Sequence, residues 1–127
     1  MRARSDFTGL VVEDEWLLRL ELAEELTAAG WTILEAVSGE DALAILTERG
    51  GAEGGKIDFL VTDIRLGGAV DGWQVAQQAR EAFPDLPVIY VSANPIQETR
   101  RVPGSVFMGK PCDVAQLLKT CEQLVKA

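Results

Sequence analysis

The chain has 127 residues, 47% of them apolar, and a formal net charge of −8 from 12 basic and 20 acidic side chains. That length fits one domain with one core, and the apolar share is too high for a disordered chain. The acidic balance argues against a nucleic-acid surface, which needs a basic patch, and no apolar run approaches the ~18 residues of a membrane span.

The first residues, Met1-Arg2-Ala3-Arg4-Ser5-Asp6, are polar and lack the apolar stretch of a signal peptide. Thr8–Val12 reads as a short strand. Asp14–Ala29 follows as a helix with Leu18, Leu22, Leu26 and Ala29 on one stripe, stopped by Gly30. Trp31–Val37 alternates more than the other apolar runs, as a strand nearer an edge does. Ser38, with Asp41 three residues on, caps a helix whose inner face is Ala42, Leu43, Leu46 and Ile45. Gly50 to Gly55 ends it. Ile57–Thr62 is continuously apolar, as a central strand covered on both faces must be.

Asp71 caps a helix running to Phe83, closed by Pro84, and Pro87–Val91 is another buried strand. Between Pro95 and Pro103 the only helical candidate is Ile96–Arg101, about one and a half turns with almost no apolar stripe. A short or irregular fourth helix is expected there. Ser105–Met108 is a fifth strand. Asp113–Lys126 is the last helix, with Val114, Leu117, Leu118, Cys121, Leu124 and Val125 at helical spacing. Five strand–helix units imply a parallel sheet with helices on both faces. One domain over 1–127 is expected, with a core of about 8–126 and no output domain after the last helix.

Cys112 and Cys121 are nine residues apart on one helical stretch, roughly 13 Å, too far for a disulfide. With no histidine and no Cys-x-x-Cys, a zinc site is not expected. These features suggest a reduced, cytoplasmic protein.

Four strands end in chemistry. Glu13-Asp14 follows the first, Asp63 the third, Ser92 the fourth and Lys110 the fifth. Parallel strands bring their C-termini to one edge, where ligands bind. Singly, each residue has an ordinary reading as a cap, a turn residue or a solvated charge. Four strands ending in complementary groups are not a product of turn chemistry alone.

Asp63 is the candidate nucleophile, since a carboxylate can accept a phosphoryl group as an acyl phosphate. The charged group it attacks calls for a cation, and magnesium suits hard oxygen ligands. Glu13 and Asp14 can supply oxygens directly or through water, and a backbone carbonyl near Arg65 can add one. Lys110 is a compact positive charge for a phosphoryl oxygen. The Ser92 hydroxyl can donate to the incoming group.

These pieces, Val-Val-Glu-Asp-Glu (11–15), Val-Thr-Asp (61–63), Asp-Gly (71–72), Val-Ser-Ala (91–93) and Gly-Lys-Pro (109–111), resemble a response-regulator receiver domain of two-component signalling. Their order and spacing are specific, and the resemblance covers Thr8 to Lys126. It implies a flavodoxin-like sheet of order 2-1-3-4-5. It implies that Asp63 takes a phosphoryl group from a histidine kinase or phosphotransfer protein, with Glu13, Asp14 and Asp63 as the magnesium set. It also implies Ser92 as switch hydroxyl, Phe107 as the aromatic switch residue and Lys110 as the phosphoryl contact. Such a protein is a switch, not an enzyme beyond its own phosphoryl uptake and slow loss, and it regulates a partner or relays the group.

The chain departs from the family pattern at several points. Glu13 stands where aspartate is more usual, glycines follow Asp63 where proline is usual, and Phe107 stands where tyrosine is frequent. Cys112 stands where phenylalanine is common.

Trp16 and Leu20 lie one helical turn apart, with Ala23 and Thr27, away from the leucine stripe. They either pack on a neighbouring helix or form an apolar docking patch for the phosphodonor. Three other functions compete. A degenerate receiver binding partners without phosphorylation conflicts with the intact Asp63, Ser92 and Lys110. An aspartyl-phosphate phosphatase wants a second carboxylate two residues after the nucleophile, where this chain has Arg65. A flavodoxin needs a phosphate-cradling loop where this chain has Glu13-Asp14-Glu15.

Overall fold

The computed structural model describes residues 3, 6–50, 55–93 and 100–125. Five strands, β1 (Thr8–Val12), β2 (Thr32–Ala36), β3 (Phe59–Asp63), β4 (Val88–Ser92) and β5 (Val106–Gly109), form one parallel sheet of order 2-1-3-4-5. Among the described residues the helices are α1 (Trp16–Ala28), α2 (Gly39–Arg49), α3 (Gly72–Ala82) and α4 (Val114–Val125). This is the flavodoxin-like architecture. The expected helix at Ile96–Arg101 lies outside the described residues except for Arg100 and Arg101.

Alternate residues of each strand face opposite layers. Leu10, Val12, Leu60, Val88 and Tyr90 pack under α2 and α3, against Ala42, Leu46, Trp73 and Ala76. Val11, Phe59, Val61, Ile89 and Val91 pack under α1 and α4, against Leu22, Leu26, Leu117 and Cys121. Both faces are covered, so β3 and β4 are buried along their whole length. β2 is an edge strand, as its alternation predicts, with Thr32 and Glu35 exposed. Each fully buried leucine here is worth about 2–5 kcal/mol against alanine, the loss including the cavity left behind.

The helix starts have local causes. Ser38 accepts the Asp41 N–H at 3.0 Å and opens α2. Asp71 accepts from the Gln74 N–H, and Gln74 accepts from the Asp71 N–H, both at 2.9 Å, a full capping box at α3. α1 begins at Trp16, two residues later than expected. The Glu13 carboxylate takes the Glu15 N–H at 3.1 Å and the Arg19 guanidinium donates to the Glu13 carbonyl at 3.0 Å, which holds 13–15 in a turn. β5 is shifted one residue along, because Ser105 is held in a turn by its hydroxyl bond to the Val102 carbonyl at 2.7 Å.

β3 and β4 each run one residue further than the periodicity suggests, so Asp63 and Ser92 are their last residues. The register pairs Val12 with Ala36 and Thr62, Asp63 with Val91, and Ser92 with Gly109. Glu13, Asp63, Ser92 and Lys110 therefore leave the sheet at one edge.

Candidate acidic phosphoacceptor site

One carboxylate oxygen from each of Glu13, Asp14 and Asp63 lies within 4.8 Å of the other two. Lys110 reaches into the group from β5. Its Nζ stands 2.9 Å from Asp63 Oδ2 and 3.0 Å from Glu13 Oε1. The other Asp63 oxygen, Oδ1, accepts the Ile64 N–H at 2.6 Å and the Arg65 N–H at 3.3 Å. Asp63 is thus held by two main-chain amides and one ammonium, with its backbone fixed in a central strand.

Glu13 is only 2% exposed, so its charge has to be met by a partner. Burial pushes its carboxyl above the ordinary value, and the bonds from Lys110 and the Glu15 amide only partly offset this. Burial acts to lower Lys110, yet its bonds to Asp63 and Glu13 prevail and hold it above the usual lysine value, firmly charged. Asp14 is exposed at the rim.

The loop after Asp63 is shaped by close approaches. A Cβ at Gly72 would collide with the Asp63 carbonyl oxygen and come within 2.8 Å of the Ile64 Cα, and the Gly72 N–H donates to the Ile64 carbonyl at 2.8 Å. A Cβ at Gly68 would stand 2.8 Å from the Glu40 carboxylate, which accepts the Ala69 N–H at 3.1 Å. Glu40, on α2, has no signal in the sequence that links it to this loop.

Ser92 is buried beside the site, and its carbonyl accepts the Lys110 N–H at 2.9 Å. Lys110 and Pro111 are joined by a cis peptide bond. Phe107 is partly buried, paired in register with Tyr90 and 6.3 Å from it between ring centroids. Tyr90 packs against Trp73 with the rings tilted and their centroids 4.8 Å apart, and accepts the Val102 N–H at 3.2 Å through its hydroxyl. Tyr90 thus connects the Phe107 ring to the segment before β5, a link the periodicity does not reveal.

Trp16 and Leu20 are 64% and 40% exposed, which rules out burial under a neighbouring helix. Leu17, at 61%, joins them, although it belongs to neither helical stripe. Ala23, expected on the same side, is instead buried. A groove of about 330 Å³ runs on from Leu20 past Thr27 to Ile33 of β2. Another hollow, of about 270 Å³ around Phe83 and Leu86, is lined by none of the site residues. Both cysteines are free. No helix among the described residues is long and apolar enough to cross a membrane.

The response regulator receiver domain family matches residues 10–122. The chain is 32% identical over 123 residues to the sensor kinase CckA of Brucella abortus, covering 94% of this chain and 12% of that kinase. It is 32% identical over 96 residues to the sensor histidine kinase RcsC of Escherichia coli, covering 76% of this chain and 9% of that protein. The chain therefore spans about a tenth of the length of these curated relatives. A crystal structure of a response regulator receiver protein from Sinorhizobium medicae WSM419 superposes with a TM-score of 0.86 at 38% identity, covering 95% of each chain. The receiver domain of the hybrid histidine kinase CckA gives 0.78 at 33% identity, covering 93% of this chain and 98% of that one. The chain belongs to the response regulator receiver domain family of two-component signalling.

Proposed function

We propose that this protein is a phosphorylation-activated switch with Asp63 as phosphoacceptor. The observation that carries the reading is Lys110 Nζ at 2.9 Å from Asp63 Oδ2, inside a cluster of three converging carboxylates. An Asp63 oxygen attacks the donor's phosphorus. The P–N bond of a phosphohistidine, or the P–O bond of a small acyl phosphate, breaks, and its electron pair leaves with the donor. Lys110 offsets charge on the transferred group, and the Ser92 hydroxyl donates to it. Phosphoryl transfer needs chiefly positioning and charge stabilisation, and these residues supply both.

The hard oxygens of Glu13, Asp14 and Asp63 suit magnesium, with the Arg65 carbonyl as a further oxygen. When bound, the ion would offset the repulsion between the phosphoryl group and the carboxylates. Ser92 and Phe107 form the switch. The phosphodonor is a histidine kinase or a histidine phosphotransfer protein, and it docks on the exposed Trp16, Leu17 and Leu20 beside the site. The receiver domain works in the cytoplasm, and passes its signal to a partner protein or relays the phosphoryl group.

Incubation with a small acyl phosphate and magnesium, read by intact mass, tests the assignment. The expected result is one added phosphoryl group in the wild type and none in Asp63→Asn or without a divalent cation. Uptake by Asp63→Asn would overturn it.

A further inference from the structure

We propose that Glu40, on α2, is a positioning residue for phosphoryl uptake: it anchors the tip of the β3–α3 loop and so fixes the wall of the site beside Asp14. This rests on the phosphoacceptor reading above.

The loop between Asp63 and Gly72 is fixed at its base. Its first two amides, of Ile64 and Arg65, hold Asp63 Oδ1, and the Gly72 N–H closes back onto the Ile64 carbonyl at 2.8 Å. Leu66 is buried and Val70 partly so, both packed in the core under α2 and α3. The tip between them, Gly67, Gly68 and Ala69, is exposed and has nothing larger than a methyl group to pack. Two adjacent glycines leave its backbone free to pivot, so burial cannot hold it and hydrogen bonds must. Within the loop the Gly68 N–H reaches the Leu66 carbonyl at 2.9 Å. Among the described residues, the tip's one hydrogen bond to another element runs from the Ala69 N–H to Glu40 Oε2, at 3.1 Å.

The surroundings of this bond are shaped to it. Ser38 caps α2, and Glu40 is the second residue of the helix. The first, Gly39, lies so close to the loop that a Cβ there would collide with the Val70 carbonyl oxygen. A Cβ at Gly68 would stand 2.8 Å from both Glu40 oxygens. One residue earlier, a Cβ at Gly67 would stand 3.3 Å from Asp14 Oδ2. The tip thus meets two carboxylates, and the one on α2 holds its amide. A hydrogen bond to an ionised acceptor is about twice as strong as one between neutral groups. Asp14 is exposed at the rim of the site. A tip released from Glu40 can pivot on its glycines and close over that rim, where the phosphodonor enters.

The test measures phosphoryl uptake against acyl phosphate concentration at saturating magnesium. It uses wild type, Glu40→Ala, Glu40→Gln, Asp41→Ala, Gly68→Ala and the Glu40→Ala/Gly68→Ala double variant. Asp41→Ala removes the same charge from the same turn of α2 without touching the loop, and thermal melts show which variants fold. Uptake should fall by about tenfold in Glu40→Ala and stay within about twofold of wild type in Asp41→Ala and in Glu40→Gln, whose amide oxygen can accept the same N–H. Gly68→Ala should also be slow, because its methyl meets Glu40. The double variant should be no slower than Glu40→Ala alone, since the collision is gone. Amide exchange at Ala69 should quicken in Glu40→Ala while that of Gly72 is unchanged. Wild-type uptake in Glu40→Ala, an equal loss in Asp41→Ala or Glu40→Gln, or additive losses in the double variant would overturn the assignment and leave Asp63 as acceptor. A wild type that takes no phosphoryl group would overturn the parent reading instead.

Discussion

At the residue scale, Lys110 settles the electrostatics of the site. It stands between Glu13 and Asp63, and those carboxylates are 2% and 9% exposed. Lys110→Ala leaves both unpaired and should cost about 2–4 kcal/mol at neutral pH. The pH dependence follows from Glu13, whose carboxyl lies above its ordinary value. A raised group contributes stability that is complete below its unfolded value and is lost as pH rises through its folded one. Without Lys110 that loss deepens, so the gap to wild type should shrink as pH falls towards about 4. Urea melts of both proteins at acid and neutral pH check this, and a gap independent of pH contradicts it. Cys121 behaves in the same sense at the other end of the scale. Burial, with a smaller contribution from Cys112, pushes its thiol up to about 12 from 9.0. The unfolded chain releases that proton first. Stability should therefore fall as pH rises from 9 towards 12, by at most about 1.4 kcal/mol per unit. Cys121→Ala should remove this slope, so the difference between the two proteins narrows with rising pH.

At the scale of elements, α3 is the piece most tightly bound to the site. Its cap, Asp71, closes a box with Gln74, and Arg100 reaches the same carboxylate at 3.1 Å. Its first residue, Gly72, backs directly on the Asp63 carbonyl. Asp71→Ala should cost about 1 kcal/mol through the lost cap. Gly72→Ala should cost more, about 2–3 kcal/mol, because the collision is with backbone and not with a flexible side chain. Gly72→Ala should also slow phosphoryl uptake, since relief of the collision moves Asp63 itself. Denaturant melts beside uptake rates separate the two variants: a Gly72→Ala protein with unchanged uptake would show that α3 and the acceptor are independent.

Across the whole molecule, one sheet edge gathers both the chemistry and the exposed apolar face of α1. The chemistry and the docking should come apart on mutation. Trp16→Ala and Leu20→Ala remove exposed side chains and should change stability by no more than about 0.5 kcal/mol. They should leave uptake from a small acyl phosphate intact and slow transfer from a phosphorylated kinase or phosphotransfer protein. Equal losses with both donors would move the docking surface elsewhere. Magnesium should stabilise the folded chain by mass action, by about 2.7 kcal/mol at a hundred times its Kd. Asp14→Asn should lose most of that gain.

The strands, four of the helices and the convergence of Asp63, Lys110 and the acidic pair were legible because they rest on periodicity and on which residue follows each apolar run. Those signals are local, and parallel strands in one sheet convert them into a shared edge without further information. The resemblance to the receiver family supplied the strand order, which the periodicity leaves open. Tertiary structure decided the rest. Glu13 joins Lys110, far along the chain, only because β1 and β5 end at the same edge, and no local pattern distinguishes it from Asp14. Leu17 is exposed although it is as apolar as Leu18, since the sheet covers one side of α1 alone. Glu40, Tyr90 and Gly68 owe their positions to contacts between elements distant in sequence. A sequence records the side chain and its neighbours along the chain; which oxygen faces which ammonium is set by the packing of the sheet.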